Sequence, residues 1–338
     1  MSQTMPSSPE AHRPEPSGGV LVVGSVTADL TTFSHRLPAR GETILGDDFT
    51  LVLGGKGANQ AVAAALAGGD TNMVACVGDD LFSSLVTGGL RDAGVGIDHV
   101  VTVPGPTGIA HIRVDDSGEN DIVMVPLANN ALSEAQIDAA FDDLAARSRV
   151  LLTQLEIPWV LTQYSIRKAH AAGLVVILDL APAAVLDDAI WPLVDIVTPN
   201  ETEARILTGI TVTDGASAVE AGRWFLERGA RSALITMAAA GAILVDADGV
   251  THFPAIPVTP IDTTAAGDAF AGYLGAAIAR GETRSDAIGI AVAAGALAVT
   301  KRGASPSLPH RAEVEAVLTA AAISTTSTST TTSAGGSV

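Results

Sequence analysis

Cysteine is nearly absent from this chain of 338 residues: Cys76 is the only one. A lone thiol makes neither an internal disulfide nor a cysteine-based zinc cage, and between Ala75 and Val77 it reads as core. Long hydrophobic runs are missing too. Stretches such as 174–178 and 291–299 fall short of the roughly 18 to 20 residues that cross a bilayer, so no membrane partner is expected. Basic residues are scarce, with Lys+Arg 19 against Asp+Glu 37 and a net charge of -18. Nucleic acid is thereby disfavoured, because backbone-phosphate binding needs a basic footprint. An anionic substrate would need donors placed locally, since the global field repels it. The opening MSQTMPSSPEAHRPEPSGG has no apolar core of a secretory signal, which makes the cytoplasm the expected location.

Several catalytic signatures are also lacking. Gly24 stands alone where G-x-G-x-x-G would need more glycines, which disfavours NAD, and there is no G-x-S-x-G elbow or H-E-x-x-H pair. The seven histidines are scattered singly, and only His111, in an expected lid strand, is singled out. No internal repeat occurs.

What is present begins with 47% hydrophobic residues, ample for a large core. Residues 1–18 are rich in Ser, Pro and Glu, and 324–338 (STTSTSTTTSAGGSV) form a low-complexity run, so both ends read as disordered tails around a folded body of 19–323. Within that body strand patterns (20–23, 72–77, 150–155, 174–179, 195–198, 233–236) alternate with helices starting near Gly57, Leu81 and Pro158. Apolar strands alternating with helices predict a mostly parallel sheet with helices on both faces. Two segments, 31–53 and 100–125, alternate polar and apolar residues around turns at 104–106 and 115–118. They predict a small antiparallel β lid, which by excluding water would suppress hydrolysis.

Three motifs carry the chemistry. Gly54-Gly55-Lys56-Gly57-Ala58-Asn59-Gln60-Ala61 runs into an alanine-rich helix, where close backbone approach and the donors Lys56 and Asn59 suit a polyhydroxylated ligand. A glycine-rich connector with a capping role fits the same letters equally, and a Walker A loop is ruled out because Gly follows Lys56. Asp262-Thr263-Thr264-Ala265-Ala266-Gly267-Asp268 opens another helix. Small residues there leave amides unshielded as an anion hole, and Asp268 in the first turn is placed to act as general base. Taken alone, this motif reads first as Asp268 complementing the helix dipole. Thr198-Pro199-Asn200-Glu201-Thr202-Glu203-Ala204 follows a strand end, with Asn200 and Glu203 on one helical face. That pair suits Mg²⁺ held through water, although an N-cap with first-turn acids is the commoner meaning.

In this order the segments resemble the ribokinase family of carbohydrate kinases, the phosphofructokinase-B type, over nearly the whole folded part. Gly54–Asn59 with Gly68 and Gly78 is similar to the N-terminal signature, and Asp262–Asp268 to the C-terminal one. L-L-x-Q-L-E, T-P-N-E-T-E-A and K-x-G-A-x-P-S strengthen the likeness. The resemblance implies phosphorylation of D-ribose at its 5-hydroxyl by ATP. It makes Asp268 the base and the amides of Ala265, Ala266 and Gly267 the anion hole. Asp29, Thr27, Gly55, Lys56, Asn59 and Glu156 would meet the sugar, and Asn200 and Glu203 would organise Mg²⁺ and phosphates. Thr236, Ala238, Gly241 and Gly267 would border the nucleotide. A monovalent cation, usually K⁺, would lie near Asp262, Thr264, Ala298, Lys301, Gly303 and Ser307, and the lid would form a homodimer.

Three positions depart from the family pattern: Thr27 replaces a usual Asn, Ala238 the first glycine of T-x-G-x-x-G, and Tyr273 a small residue. Thr27 opens a second reading, a kinase of deoxyribose or a nucleoside, because a missing partner for a hydroxyl shifts preference. Ala238 opens a third, a sugar-binding regulatory protein without phosphoryl transfer.

Overall fold

The computed structural model describes residues 18–117 and 120–329. Most of the N-terminal tail, Gly118 of the expected lid turn and 330–338 lie outside the described residues. The chain opens with β1 (Gly19–Val23), β2 (Thr27–Phe33), β3 (Asp48–Gly54), α1 (Lys56–Leu66), β4 (Asp70–Val77), α2 (Leu81–Asp92) and β5 (Gly96–Thr102). Next come β6 (Gly108–Val114), β7 (Asn120–Val125), α3 (Glu134–Leu144), β8 (Ser148–Thr153), α4 (Trp159–Ala172), β9 (Val175–Leu178) and β10 (Ile196–Val197). It closes with α5 (Glu201–Thr208), α6 (Gly215–Glu227), β11 (Ser232–Thr236), β12 (Ala242–Asp246), β13 (Gly249–Phe253), α7 (Ala266–Ala279), α8 (Arg284–Ala298) and α9 (Arg311–Ser329).

Nine strands form one sheet in the order β13-β12-β11-β10-β9-β8-β1-β4-β5. It is parallel from β11 to β5, and β12 and β13 add an antiparallel hairpin at one edge. Period-2 geometry explains the two cores. Val20 and Val22 of β1 pack into the layer holding α1, α7 and α8, while Leu21 and Val23 pack on the other side with α3, α4 and α6. Every β1 residue is buried, as a strand covered on both faces requires. Cys76 lies in the second core, as its neighbours suggested.

The lid is a second sheet, ordered β3-β2-β6-β7. Its outer pairs are antiparallel and its central pair, β2 with β6, is parallel. Its boundaries differ from the expected 31–53 and 100–125. Pairing begins at Thr27, and residues 100–102 belong to β5, where Val100 and Val101 continue the main sheet opposite Ala75 and Cys76. β10 is also shorter than the expected 195–198: Pro199 has no N–H to extend a ladder, and its carbonyl instead accepts from the Thr236 amide at 3.0 Å. At the C-terminal end α9 continues through Ser329, into the Ser/Thr-rich run expected to be a tail from 324. Among the described residues no helix is long and apolar enough to cross a membrane.

Candidate active site

The main-sheet strands β1, β8, β9, β10 and β11 run parallel, so their carboxyl ends open along one edge, and the three motifs meet there. Ala265 precedes α7 in the left-handed region, with φ 59°. The Ala266 amide reaches the Thr263 carbonyl only at 3.4 Å, and no protein acceptor among the described residues meets the amides of Ala265 and Gly267. A Cβ built on Gly267 would meet no atom within 4 Å, so this helix start faces open space. Asp268 is buried immediately behind it. Its Oδ2 accepts from Asn59 Nδ2 at 3.0 Å and its Oδ1 from Gln60 Nε2 at 3.1 Å. Asn59 Oδ1 is buried with no partner, an acceptor left for a ligand hydroxyl.

α1 starts without a side-chain cap of its own. Glu156, after β8, supplies one from a distance: its Oε2 accepts from the Lys56 amide at 2.9 Å and from Ser25 Oγ at 2.6 Å. Thr27 does not face outward as an unpaired group. Its hydroxyl donates to Asp29 Oδ1 at 2.6 Å, and a Cβ on Gly54 would fall 2.0 Å from that carboxylate, so only glycine fits at 54. Burial, aided by the charges of Glu156 and Asp268, lifts the Asp29 carboxyl to about 6 despite the Thr27 bond. Burial alone would lower the Lys56 ammonium. The carboxylates of Asp268, Asp179, Glu156 and Glu203 outweigh it and hold Lys56 firmly charged. Burial likewise raises Asp179 well above the usual carboxylate range.

Farther along the strand edge, Asn200 and Glu203 form a reciprocal cap of α5. The Asn200 amide donates to Glu203 Oε2 and the Glu203 amide to Asn200 Oδ1, both at 2.9 Å. The capping meaning of this motif is therefore realised, and one Glu203 oxygen is left for another partner. Thr236, paired with Asn200 through an isolated bridge, leads into the turn 238–240. Ala238 has φ 40° and Gly241 φ 90°. An alanine in that region carries strain on the order of 1–3 kcal/mol. A groove of about 760 Å³ opens beside this turn, lined by Gly215, Val219, Met237, Ala239, His252 and Pro254 among others. His252 Nε2 donates to the Ala240 carbonyl at 2.8 Å. Sequence reasoning missed this groove because its lining is mostly small and apolar and comes from separate segments, α6, the turn after β11, β12 and β13. His111, the histidine singled out, lies exposed on lid strand β6.

Asp262 ties two loops together. Its Oδ1 accepts from the Thr264 amide (2.9 Å) and hydroxyl (2.6 Å), and its Oδ2 accepts from the Gly303 amide at 2.8 Å. Burial alone would raise this carboxyl, and these bonds bring it below its usual value. Around it, the Ala298 carbonyl accepts from the Lys301 amide at 3.3 Å, and Ser307 Oγ donates to the Ala304 carbonyl at 2.8 Å. Lys301 Nζ is paired with Glu313 at 2.8 Å. The carbonyls of Thr264, Lys301 and Gly303 accept no hydrogen bond among the described residues, and neutral oxygens of that kind fit a monovalent cation. Tyr273 is buried with its hydroxyl donating to the Pro309 carbonyl at 2.8 Å, so it packs without intruding.

A buried carboxylate behind unpaired helix amides, a polar floor with an orphaned acceptor and an apolar groove along the same edge together suit an enzyme that moves phosphate onto an alcohol. Comparison with known proteins agrees. The family model described as pfkB family carbohydrate kinase matches residues 18–311, and the chain belongs to that family; it is an ATP-dependent sugar kinase. A ribokinase of Haemophilus influenzae is 39% identical over 293 residues, covering 86% of this chain and 95% of that protein. A deoxyribokinase of Salmonella typhimurium is 35% identical over 292 residues, covering 86% of this chain and 95% of that protein. The structure of Arabidopsis thaliana ribokinase complexed with ribose and ATP superposes with TM-score 0.82 at 30% identity, covering 89% of this chain and 99% of that one.

Proposed function

We propose that this enzyme transfers the γ-phosphoryl group of ATP to the 5-hydroxyl of D-ribose, giving D-ribose 5-phosphate and ADP. The observation that carries the reading is the Asp268 carboxylate, locked by Asn59 and Gln60 directly behind the open start of α7. Asp268 takes the hydroxyl proton as the sugar oxygen bonds to the γ-phosphorus and the bond to the ADP oxygen breaks. The amides of Ala265, Ala266 and Gly267 receive the charge on the phosphoryl oxygens in transit. Asp29, Gly55, Lys56, Asn59 and Glu156 hold the sugar, with Asn59 Oδ1 accepting from a hydroxyl. Lys56, ringed by carboxylates, stays charged and offsets part of their repulsion toward phosphate.

The purine lies in the groove beside Ala238–Gly241, and Thr236 borders the phosphates. The remaining oxygen of Glu203 and Asn200 would hold Mg²⁺ through water, where it would supply charge neutralisation to the phosphates. A potassium ion fits the carbonyl-rich loops at Thr264 and Lys301–Gly303 beside Asp262, Ala298 and Ser307, where it would order the loop that ends in the anion hole.

The test is ATP consumption with ribose, with and without potassium. Asp268→Asn is expected to lose about 10²- to 10⁴-fold in kcat, and near-wild-type turnover would overturn the mechanism. A second reading, deoxyribose as substrate, is favoured by the Thr27 hydroxyl being spent on Asp29 and by the deoxyribokinase relative. The ratio of kcat/KM for the two sugars decides between them. Absence of ATP turnover with either sugar would leave the regulatory reading.

A further inference from the structure

The contacts behind Asp268 use side chains that the proposed chemistry does not need. Gln60 is fully buried on α1, and its Nε2 donates both to Asp268 Oδ1 at 3.1 Å and to Asp179 Oδ2 at 2.7 Å. An amide nitrogen carries two hydrogens, so two carboxylates use both. The sense of this amide is then decisive: turned over, it would present its oxygen to the Asp268 carboxylate. Gln154, at the end of β8, prevents that, because its Nε2 donates to Gln60 Oε1 at 2.6 Å. Gln154 pays with its own Oε1, which is buried without a partner. Gly24 makes the room, since a Cβ there would lie 2.0 Å from that oxygen. Buried acceptors are seldom left unmatched, and one sacrificed beside a catalytic carboxylate marks a site organised for something other than stability.

We propose that Gln60, backed by Gln154, is a positioning residue for phosphoryl transfer: it clamps Asp268 from the side opposite Asn59 and braces it on Asp179, leaving the remaining lone pairs for the sugar hydroxyl. The inference rests on Asp268 being the base. It accounts for two glutamines in G-G-K-G-A-N-Q and L-L-x-Q-L-E that contact Asp268 or each other across 208 and 94 residues of chain. The charged groups facing Asp268 are Asp29 from β2, Lys56 from α1, Asp179 after β9 and Glu203 from α5. Gln60 and Asn59 are the neutral donors that hold the Asp268 carboxylate in place between them, one on each oxygen.

The experiment compares the full-length wild type with Gln60→Met, Gln154→Met and Asp268→Asn, using ribose and ATP across pH. Gln60→Met keeps length and loses both donors. It is expected to lower kcat about 10- to 100-fold while both KM values stay within about threefold, the pattern of a lost transition-state interaction. The acidic limb of its pH–rate profile is expected to move to higher pH, because a donor to the ionised base has been withdrawn. Gln154→Met, which does not touch Asp268, is expected to shift both readouts the same way by less. Should Gln60→Met fail to fold, Gln154→Met decides. Wild-type kcat with an unmoved acidic limb in the decisive variant overturns the inference, as does a rise in KM alone. Asp268→Asn separates the two levels: if it retains activity, the base assignment falls and takes this inference with it. If it is inactive while Gln60→Met behaves as wild type, the inference alone falls.

Discussion

Asp29 sits buried between the Thr27 hydroxyl and the backbone of Gly54, and its carboxyl is lifted to about 6. A carboxyl raised on folding keeps its proton where the unfolded chain has lost it. Its favourable contribution is therefore complete below about pH 4 and is lost as pH climbs through 6. At neutral pH the ionised group costs on the order of 3 kcal/mol. Asp29→Asn still accepts from Thr27, so it should resist urea better than the wild type at pH 7.5 and match it near pH 3.5. Equal midpoints at both pH values would contradict this, and the same variant should bind sugar more weakly. At this scale the sequence was only partly legible. Asp268, Lys56 and Asn59 carry roles legible from their motifs; Gln60 and Gln154 stand in quoted motifs too, but their roles, like those of Asp179 and Gly24, were not legible, because each acts through a partner from a distant segment. Thr27 looked like a lost sugar contact, and its rotamer toward Asp29 could not be read from letters.

Helix starts organise the site, and they do so by different devices. α5 is capped within its own motif, by Asn200 and Glu203, which is why that start was readable locally. α1 lacks such a cap and borrows the carboxylate of Glu156 from 100 residues away. Glu156, proposed to meet the sugar, thus also fastens the helix that carries Lys56, Asn59 and Gln60. Glu156→Ala should lose about 1 kcal/mol or more in stability from the uncapped start. It should also raise KM for ribose, whereas Glu156→Gln, still an acceptor, should recover most of the stability. Thermal unfolding alongside kinetics checks this, and a destabilised variant with unchanged KM would remove Glu156 from the sugar site. α7 has no side-chain cap at all, and its amides are left for a ligand.

The whole molecule joins a doubly covered sheet to a lid whose strands β2 and β3 lead straight into the site at Thr27–Asp29 and Gly54–Lys56. The lid exposes Phe49, Ile122 and Val123, each more than half accessible, on a small sheet with little of its own core. Phe49 stands on one edge strand, β3, and Ile122 and Val123 on the other, β7, and exposed apolar side chains of this size make the lid a candidate contact surface between two copies. Sedimentation should find a dimer in the wild type and a monomer in Val123→Lys. A monomeric wild type would remove the lid as an interface.

The alternation of strands and helices, the two-sided burial of β1, the existence of the lid and the locally capped start of α5 were determined by sequence alone, because periodicity and local capping act over a few residues. Tertiary structure alone decided which side chains meet. Asn59 and Asp268 lie 209 residues apart and touch because the strand order β10-β9-β8-β1-β4 sets the loops that carry them along one edge. That order is settled by the packing of whole layers, and no local pattern contains it.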